Sequence, residues 1–282
     1  MNEKSFRFSV GNLECIALRD AADGMPTNAL IQGADEPAIA QVLRERECPL
    51  SEIPVDYLCL CVRSREKLIA IDAGCGYVEG FQGQALAHLR AEGVSPLDVS
   101  LVIVTHLDRD HLGGVVAPDG TLAFPDASHV LSEEAWFWYT SESNLAAMPE
   151  PQAAFYRTIR SLLTGRVVLV RDETEITPGI RIIPAPGHRR GHMAVELASE
   201  GARLLHLADA FVHPIFVEYP EWTTPFDDNH DEARATRRQF LARATSSGSL
   251  VFLSHFPFPG LGHVRKHAKA WRWVPLDSSS GA

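Results

Sequence analysis

Apolar residues in the first third of the chain fall into short runs separated by polar turns. FRFSV, LECIALR, DYLCLCVRS and KLIAIDAG read as strands, the last two joined by the polar turn from Arg63 to Glu66, and together they predict a β-meander. Between Val78 and Glu92 the period changes. Phe81, Ala85, Leu86 and Leu89 recur at helical spacing and Gly93 stops the pattern, which predicts a helix. DVSLVIVTH, a continuous β-branched run that ends abruptly in a polar cluster, predicts a buried strand. Farther on, the pattern predicts a short strand at HVLS, helices over Glu133 to Ser141 and Pro151 to Leu163, and strands at VVLV, IRIIPA, MAVELA and ARLLHLA. A long helix from Asp231 to Ala244 precedes a last strand, SLVFLSH.

Strands in two groups with helices between them imply two mixed sheets packed face to face and covered outside by helices, an α/β sandwich of four layers. At 282 residues one large core is within reach, so residues 1–275 are expected to form a single domain. No internal repeat or low-complexity linker divides them, and only the tail 276–282 is expected to be disordered.

Composition narrows the function classes. With 45% apolar and 22% charged residues the chain reads as globular protein. A net charge of −10 and scattered Lys and Arg residues provide no footprint for a phosphate backbone, which argues against nucleic acid as a partner. The N-terminus lacks an apolar stretch of signal-peptide length, and nowhere do about 18 apolar residues run without a charge. A cytoplasmic protein without membrane association is expected. Five cysteines (Cys15, Cys48, Cys59, Cys61 and Cys75), without paired zinc spacing, fit reduced thiols, and Cys59 and Cys61 would share one face of a strand in the core.

The candidate chemistry begins where the buried strand ends. HLDRDH places His106, Asp108, Asp110 and His111 within six residues, and imidazole with carboxylate suits zinc, iron or manganese. His106 and Asp108 alternate with Leu107, whereas Asp110 and His111 are adjacent and can face a second ion. Gly113 and Gly114 would let the backbone turn away beneath the site. By itself the run could also be a charged surface loop. Three further segments weigh against that, each with a His or Asp just past a strand-like run: PAPGHRRGH with His188, LLHLADAF with Asp209, and LVFLSHFPFPGLGH with His255.

The order and setting of these segments resemble the metallo-β-lactamase superfamily. Its first motif, an Asp closing an early strand, is matched by Asp72 in LIAIDAG; its HxHxDH motif is matched by HLDRDH with one substitution; its third His, bridging Asp and last His are matched by His188, Asp209 and His255. The resemblance covers roughly residues 55 to 265. ADAFVHP, PEW, FDDNHDEARATRRQFL and SHFPFPGLGHV look most like the branch that contains lactonases and methyl parathion hydrolase. The resemblance implies two divalent ions, one held by His106, Asp108 and His188 and the other by Asp110, His111 and His255, with Asp209 bridging. Asp72 would orient the ligand loop by accepting a hydrogen bond from it. Homodimers are common in this branch.

Two positions depart from the pattern. Asp108 stands where the family usually has His, and a shorter, harder anionic ligand admits iron or manganese beside zinc. Val212 stands where the quorum-quenching lactonases carry a Tyr that steadies the developing oxyanion. The expected activity is hydrolysis of a lactone, carboxylic ester or phosphotriester by a metal-bridging hydroxide, with Asp110 as the proton-handling group. A di-iron redox enzyme or oxygenase, and a non-catalytic metal-binding protein, are the alternatives. His263, Trp222 and Phe226 are candidates for the substrate pocket, His192 and His213 for supporting positions beside the ligands, and the aromatic run Trp136 to Tyr139 for either a cleft wall or a helix core.

Overall fold

The computed structural model describes residues 4–276 except 47, 66, 79, 80 and 269. The meander is present: β1 (Ser5–Val10), β2 (Leu13–Pro26), β3 (Glu52–Ser64) and β4 (Lys67–Ile71) pair antiparallel in chain order. A small ribbon of β5 (Tyr77–Val78) and β6 (Phe81–Gln82) follows. The sheet then grows in parallel from β4 through β7 (Val99–Ile103), β8 (Ser128–Ser132) and β9 (Val167–Val170) to seven strands. A second seven-stranded sheet holds β10 (Thr174–Thr177), β11 (Ile180–Pro184), β12 (Met193–Ser199), β13 (Ala202–His206), β14 (Leu250–Phe252), β15 (Leu261–His267) and β16 (Ala270–Pro275). Its strands lie in chain order and are antiparallel except β13 and β14, which run parallel.

The strand period of two sorts side chains between the layers. Leu58, Leu60 and Val62 of β3 point with Ile69 and Ile71 of β4 into the core between the sheets, where they meet Ile182, Val195, Leu204 and Phe252 of the second sheet. Their neighbours Cys59, Cys61, Leu68 and Ala70 face the other way, under the helices Ala85–Ala91, Glu133–Thr140 and Glu150–Leu163. Ile183, Ala194, Leu205 and Val251 likewise face outward, under the helices Glu36–Glu45 and His230–Ser247. Sheets covered on both faces explain why these strands read as continuous apolar runs rather than alternating ones. The result is the four-layer sandwich of two mixed sheets flanked by helices. Among the described residues, no helix is long and apolar enough to cross a membrane.

Several elements differ from the expectation. The helix predicted over Val78 to Glu92 is confined to Ala85–Ala91, because the small ribbon and the turn at Gly83 occupy the first half. Asp20 explains the late start: its Oδ1 accepts from Ala85 N and its Oδ2 from Cys75 N, both at 2.8 Å, so this carboxylate from β2 sets the first helical residue. The helix Glu36–Glu45 was missed although its signals are local. Asp35 caps it by accepting from Ala38 N at 2.8 Å, a Pro stands at its start, and Ile39, Val42 and Leu43 bury one face. The strand β10 and the hairpin β15–β16 were also not anticipated. The tail expected to be disordered lies, beyond Leu276, outside the described residues.

Leu60 is 1% exposed between the sheets, whereas Val168 on β9 is 45% exposed. Leu60→Ala should therefore lower unfolding stability by about 2–5 kcal/mol, and Val168→Ala by no more than about 0.5 kcal/mol, read from urea midpoints at unchanged m-value.

Candidate metal centre

Strand direction gathers the functional side chains at one edge. β4 and β7 are parallel neighbours, so Asp72 and the segment 106–111 leave the first sheet on the same side. In the second sheet β11 and β13 point the same way, since each is antiparallel to β12, and β14 is parallel to β13. His188, Asp209 and His255 follow these three strands. Two loops are then locked together: Ala73 N donates to His111 O at 2.8 Å and Gly114 N to Gly74 O at 2.9 Å. The glycines are needed here for a reason other than the expected turn. Gly113 has ordinary helical backbone angles, but a Cβ on it would lie 2.1 Å from Cys75 O, and one on Gly114 1.9 Å from Ala73 O.

Four buried imidazoles converge, and each has its Nδ1 occupied on the far side. His111 Nδ1 lies 2.8 Å from Asp72 Oδ2, His255 Nδ1 3.0 Å from Asp56 O, His188 Nδ1 3.3 Å from Asp227 Oδ1, and His106 Nδ1 3.2 Å from Thr105 Oγ1. Thr105 in turn donates its N–H and Oγ1 to the Asp72 carboxylate at 2.8 and 2.9 Å. An Nδ1 that donates leaves Nε2 bare, so these contacts fix the tautomer that can ligate a metal. The Nε2 atoms meet around Asp209. Its Oδ2 is 2.9 Å from His255, 3.5 Å from His188 and 3.9 Å from His106, and its Oδ1 is 3.2 Å from His111. Asp110 Oδ2 stands 3.3 Å from His255 Nε2 and 3.4 Å from His111 Nε2.

These contacts are those of a site built for cations. Nε2 of His106, His111 and His188 and Oδ1 of Asp209 are buried without a hydrogen-bond partner of adequate geometry, a costly state unless something else engages them. Ligand atoms of Asp110, His111, Asp209 and His255 lie within 4.8 Å of one another, as do those of His106, His188 and Asp209. Burial alone would lower the basicity of His255, yet Asp209 and Asp110 push its pKa up to about 10. His111 is likewise held well above its ordinary range against burial, by Asp209, Asp110 and Asp72. Burial opposes ionisation of Asp110 and Asp209, but His111 and His255 hold both carboxyls well below the ordinary range. The carboxylates thus call for positive charge, which imidazolium or a divalent cation can supply. The backbone is strained at both organising acids: Asp72 has φ +60, and Ala208, just before Asp209, has φ +43.

The sequence profile of the metallo-β-lactamase superfamily matches residues 54–255, which include all of these groups. The chain belongs to this superfamily. Over 180 residues it is 27% identical to a probable metallo-hydrolase of Mycobacterium bovis and to another of Mycobacterium tuberculosis. That stretch is 55% of this chain and 56% of each relative, so the match spans about half the length of the curated relatives. Among solved structures, AidC, a dizinc quorum-quenching lactonase in complex with the product N-hexanoyl-L-homoserine, superposes with a TM-score of 0.87 at 25% identity, over 97% of this chain and 98% of that one. The hydrolase AbOPH shares the fold, with a TM-score of 0.86 at 24% identity over 97% and 98% of the two chains.

Against the metallo-β-lactamase pattern, Asp108 is the departure, and it is engaged elsewhere: Arg189 Nε donates to its Oδ2 at 2.7 Å and its Oδ1 at 3.0 Å. Over the cluster opens a cavity of about 440 Å³, lined by Asp108, Asp110, His188, Asp209 and His255 on its floor and by Met25, Leu30, Val55, Tyr57, Val212 and Phe226 on its walls. The structure does not bring His263 there: it lies on β15 in a separate recess with Ser9 and Arg203, its Nδ1 3.1 Å from Ser249 O. Trp222 is buried against Tyr219 at a ring distance of 4.5 Å and does not line the cavity. Trp136 and Tyr139 pack in the helix core, and Phe137 and Trp138 face outward, so that run does not line this cavity.

Residues behind the ligands complete the site. Asp227 Oδ2 receives the fully buried Arg237 guanidinium, which also donates from Nε to Ala210 O at 2.9 Å and from Nη1 to Trp222 O at 2.7 Å. Thus one arginine of the helix His230–Ser247 joins the loop after Asp209 to the residue behind His188. His192, near both His106 and His188, accepts from Asp209 N at 3.3 Å and so holds the backbone of the shared acid. His213 lies apart from the cluster and accepts from Ile215 N at 3.2 Å. Asp56 receives Arg19 at 2.5 Å and Phe258 N at 2.9 Å, clamping the turn after His255. Arg237→Ala would strand the buried Asp227 carboxylate and should cost about 3–5 kcal/mol. Chemical denaturation of metal-free protein would read this loss directly.

Proposed function

We propose that this protein is a metal-dependent hydrolase that opens a lactone or cleaves a carboxylic ester or phosphotriester. The observation that carries the reading is the convergence of four tautomer-locked imidazoles on both oxygens of Asp209, at the floor of an open cavity. Asp110, His111 and His255 would hold one ion and His106 and His188 another, with Asp209 shared. Imidazole and carboxylate donors suit zinc, and the fold relative AidC is a dizinc enzyme. When bound, such ions bring the pKa of water toward neutrality and polarise the bond to be broken.

The remaining work falls to side chains. Asp110 faces the cavity and offers a carboxylate oxygen to take the proton of the attacking water and return it to the leaving group. Met25, Leu30, Val55, Val212 and Phe226 make the walls apolar, which suits an acyl or aryl group and supports lactones, as in AidC. Val212 offers no hydrogen-bond donor to a developing oxyanion. The phenol on the cavity wall is Tyr57, edge-on to His255 at 5.1 Å. Burial and then Asp110 push its pKa up to about 12, so it remains a neutral donor.

Chelation should abolish turnover and zinc restore it, and Asp209→Ala should lower bound metal at both positions by elemental analysis; full activity of metal-free protein would overturn the reading. Across lactones, aryl acetates, a phosphotriester and a cephalosporin, kcat/KM should be lowest for the cephalosporin. Tyr57→Phe should lower kcat roughly a hundredfold at unchanged metal content, whereas a change in KM alone would make Tyr57 a wall residue only.

A further inference from the structure

Resting on the metal-centre reading above, we infer that the two cation positions are unequal because Arg189 neutralises the Asp108 carboxylate beside one of them. Both oxygens of Asp108 accept from Arg189 Nε, at 2.7 and 3.0 Å. Arg189 is itself tethered, since its Nη1 donates to Phe226 O and lies 3.3 Å from Asp228 Oδ1. Asp108 Oδ2 remains 3.8 Å from His106 Nε2 and 4.0 Å from His188 Nε2. That is about as near as Asp209 Oδ2, at 3.9 and 3.5 Å from the same two atoms, so what sets Asp108 apart is its pairing with the guanidinium and not its distance.

Asp110 is placed differently. Its Oδ2 is 3.3 and 3.4 Å from the two imidazoles of its own position and belongs to their set. One position therefore has two imidazoles, a carboxylate of its own and a share of Asp209. The other has two imidazoles and the share of Asp209, beside a carboxylate already neutralised by a guanidinium. A divalent cation is held by the summed negative charge of its oxygen donors and repelled by a nearby fixed cation. The first ion thus enters the position of Asp110, His111 and His255, and the second binds between His106 and His188 at least about tenfold more weakly, the range in which outer contacts tune metal affinity. Arg189 sets the free-metal level at which the site becomes dinuclear.

The test is zinc titration of the metal-free protein, following the four imidazoles by nitrogen-15 NMR. His111 and His255 should shift during the first equivalent, and His106 and His188 only during the second. In dialysis against a graded series of zinc buffers with elemental counting, the wild type should lose its ions in two steps. Arg189→Ala frees Asp108 and should bring the weaker step at least about tenfold closer to the stronger one. Asp108→Ala with Arg189→Ala removes a neutral pair and should leave the weaker midpoint within about threefold of wild type. Loss of the weaker ion from that double variant, or all four imidazoles shifting together in the wild type, would overturn the inference. Absence of any zinc uptake would instead overturn the metal-centre reading itself, and this inference with it.

Discussion

Asp72 is the point on which the site turns. Its carboxylate accepts from Thr105 N, Thr105 Oγ1 and His111 Nδ1, all within 2.9 Å, from a left-handed backbone that a non-glycine residue adopts at a cost. Through Thr105 it reaches His106 as well, so one buried acid orients imidazoles on both sides of Asp209. A ring nitrogen can be presented bare in a dry interior only when the opposite nitrogen is satisfied. Asp56 O and Asp227 do for His255 and His188 what Asp72 does for His111. The tight contact of Gly113 and Gly114 with residues 73–75 keeps the two loops from drifting apart.

The fully buried Arg237–Asp227 pair shows what this positioning costs. Desolvating two charges is unfavourable, and apolar replacements of similar volume are often more stable. Arg237 nevertheless spans Asp227 and the carbonyls of Ala210 and Trp222, and so couples the loops carrying His188 and Asp209 to the helix that crosses between β13 and β14. Rigidity behind the ligands is the gain, because a metal centre tolerates little displacement of its donors. Arg189 and Asp108 use the same chemistry nearer the cavity, where it acts on charge balance rather than on orientation.

The cavity walls come from elements that have little to do with the ligands. β2 and β3 run on past the sheet as a paired ribbon, with a bulge between Arg19 and Ala21, and the ribbon brings Asp23, Met25, Val55 and Tyr57 over the cluster. The loop after Trp222 closes the opposite side with Phe226. A shared floor and separately built walls are what allow one fold to serve different substrates.

Much of this was legible in the residues. Continuous apolar runs marked strands covered on both faces, and polar clusters just after them marked the edge where parallel strands end together, so the candidate groups from His106 to His111, His188, Asp209 and His255 stood out from their neighbours, whereas Asp72 was marked by the family resemblance. The roles of Asp20, Asp56, Asp227 and Arg237 could not be read, since the partner of each lies 10 to 202 positions away in the chain. The strand β2 extends past the predicted LECIALR because its outer half, ADGMP, carries Asp, Gly and Pro, which read as turn residues, and becomes strand only by pairing with residues 52–56. His263 and Trp222 were misplaced for a related reason: one turns toward Ser249 across its own sheet and the other packs on Tyr219, choices made by neighbours distant in sequence or by local packing that spacing does not record. Local periodicity and residue chemistry decide which atoms are available as strand, helix or ligand. Which of them meet is decided by contacts between loops, where burial makes each unpaired polar atom costly and thereby selects one arrangement.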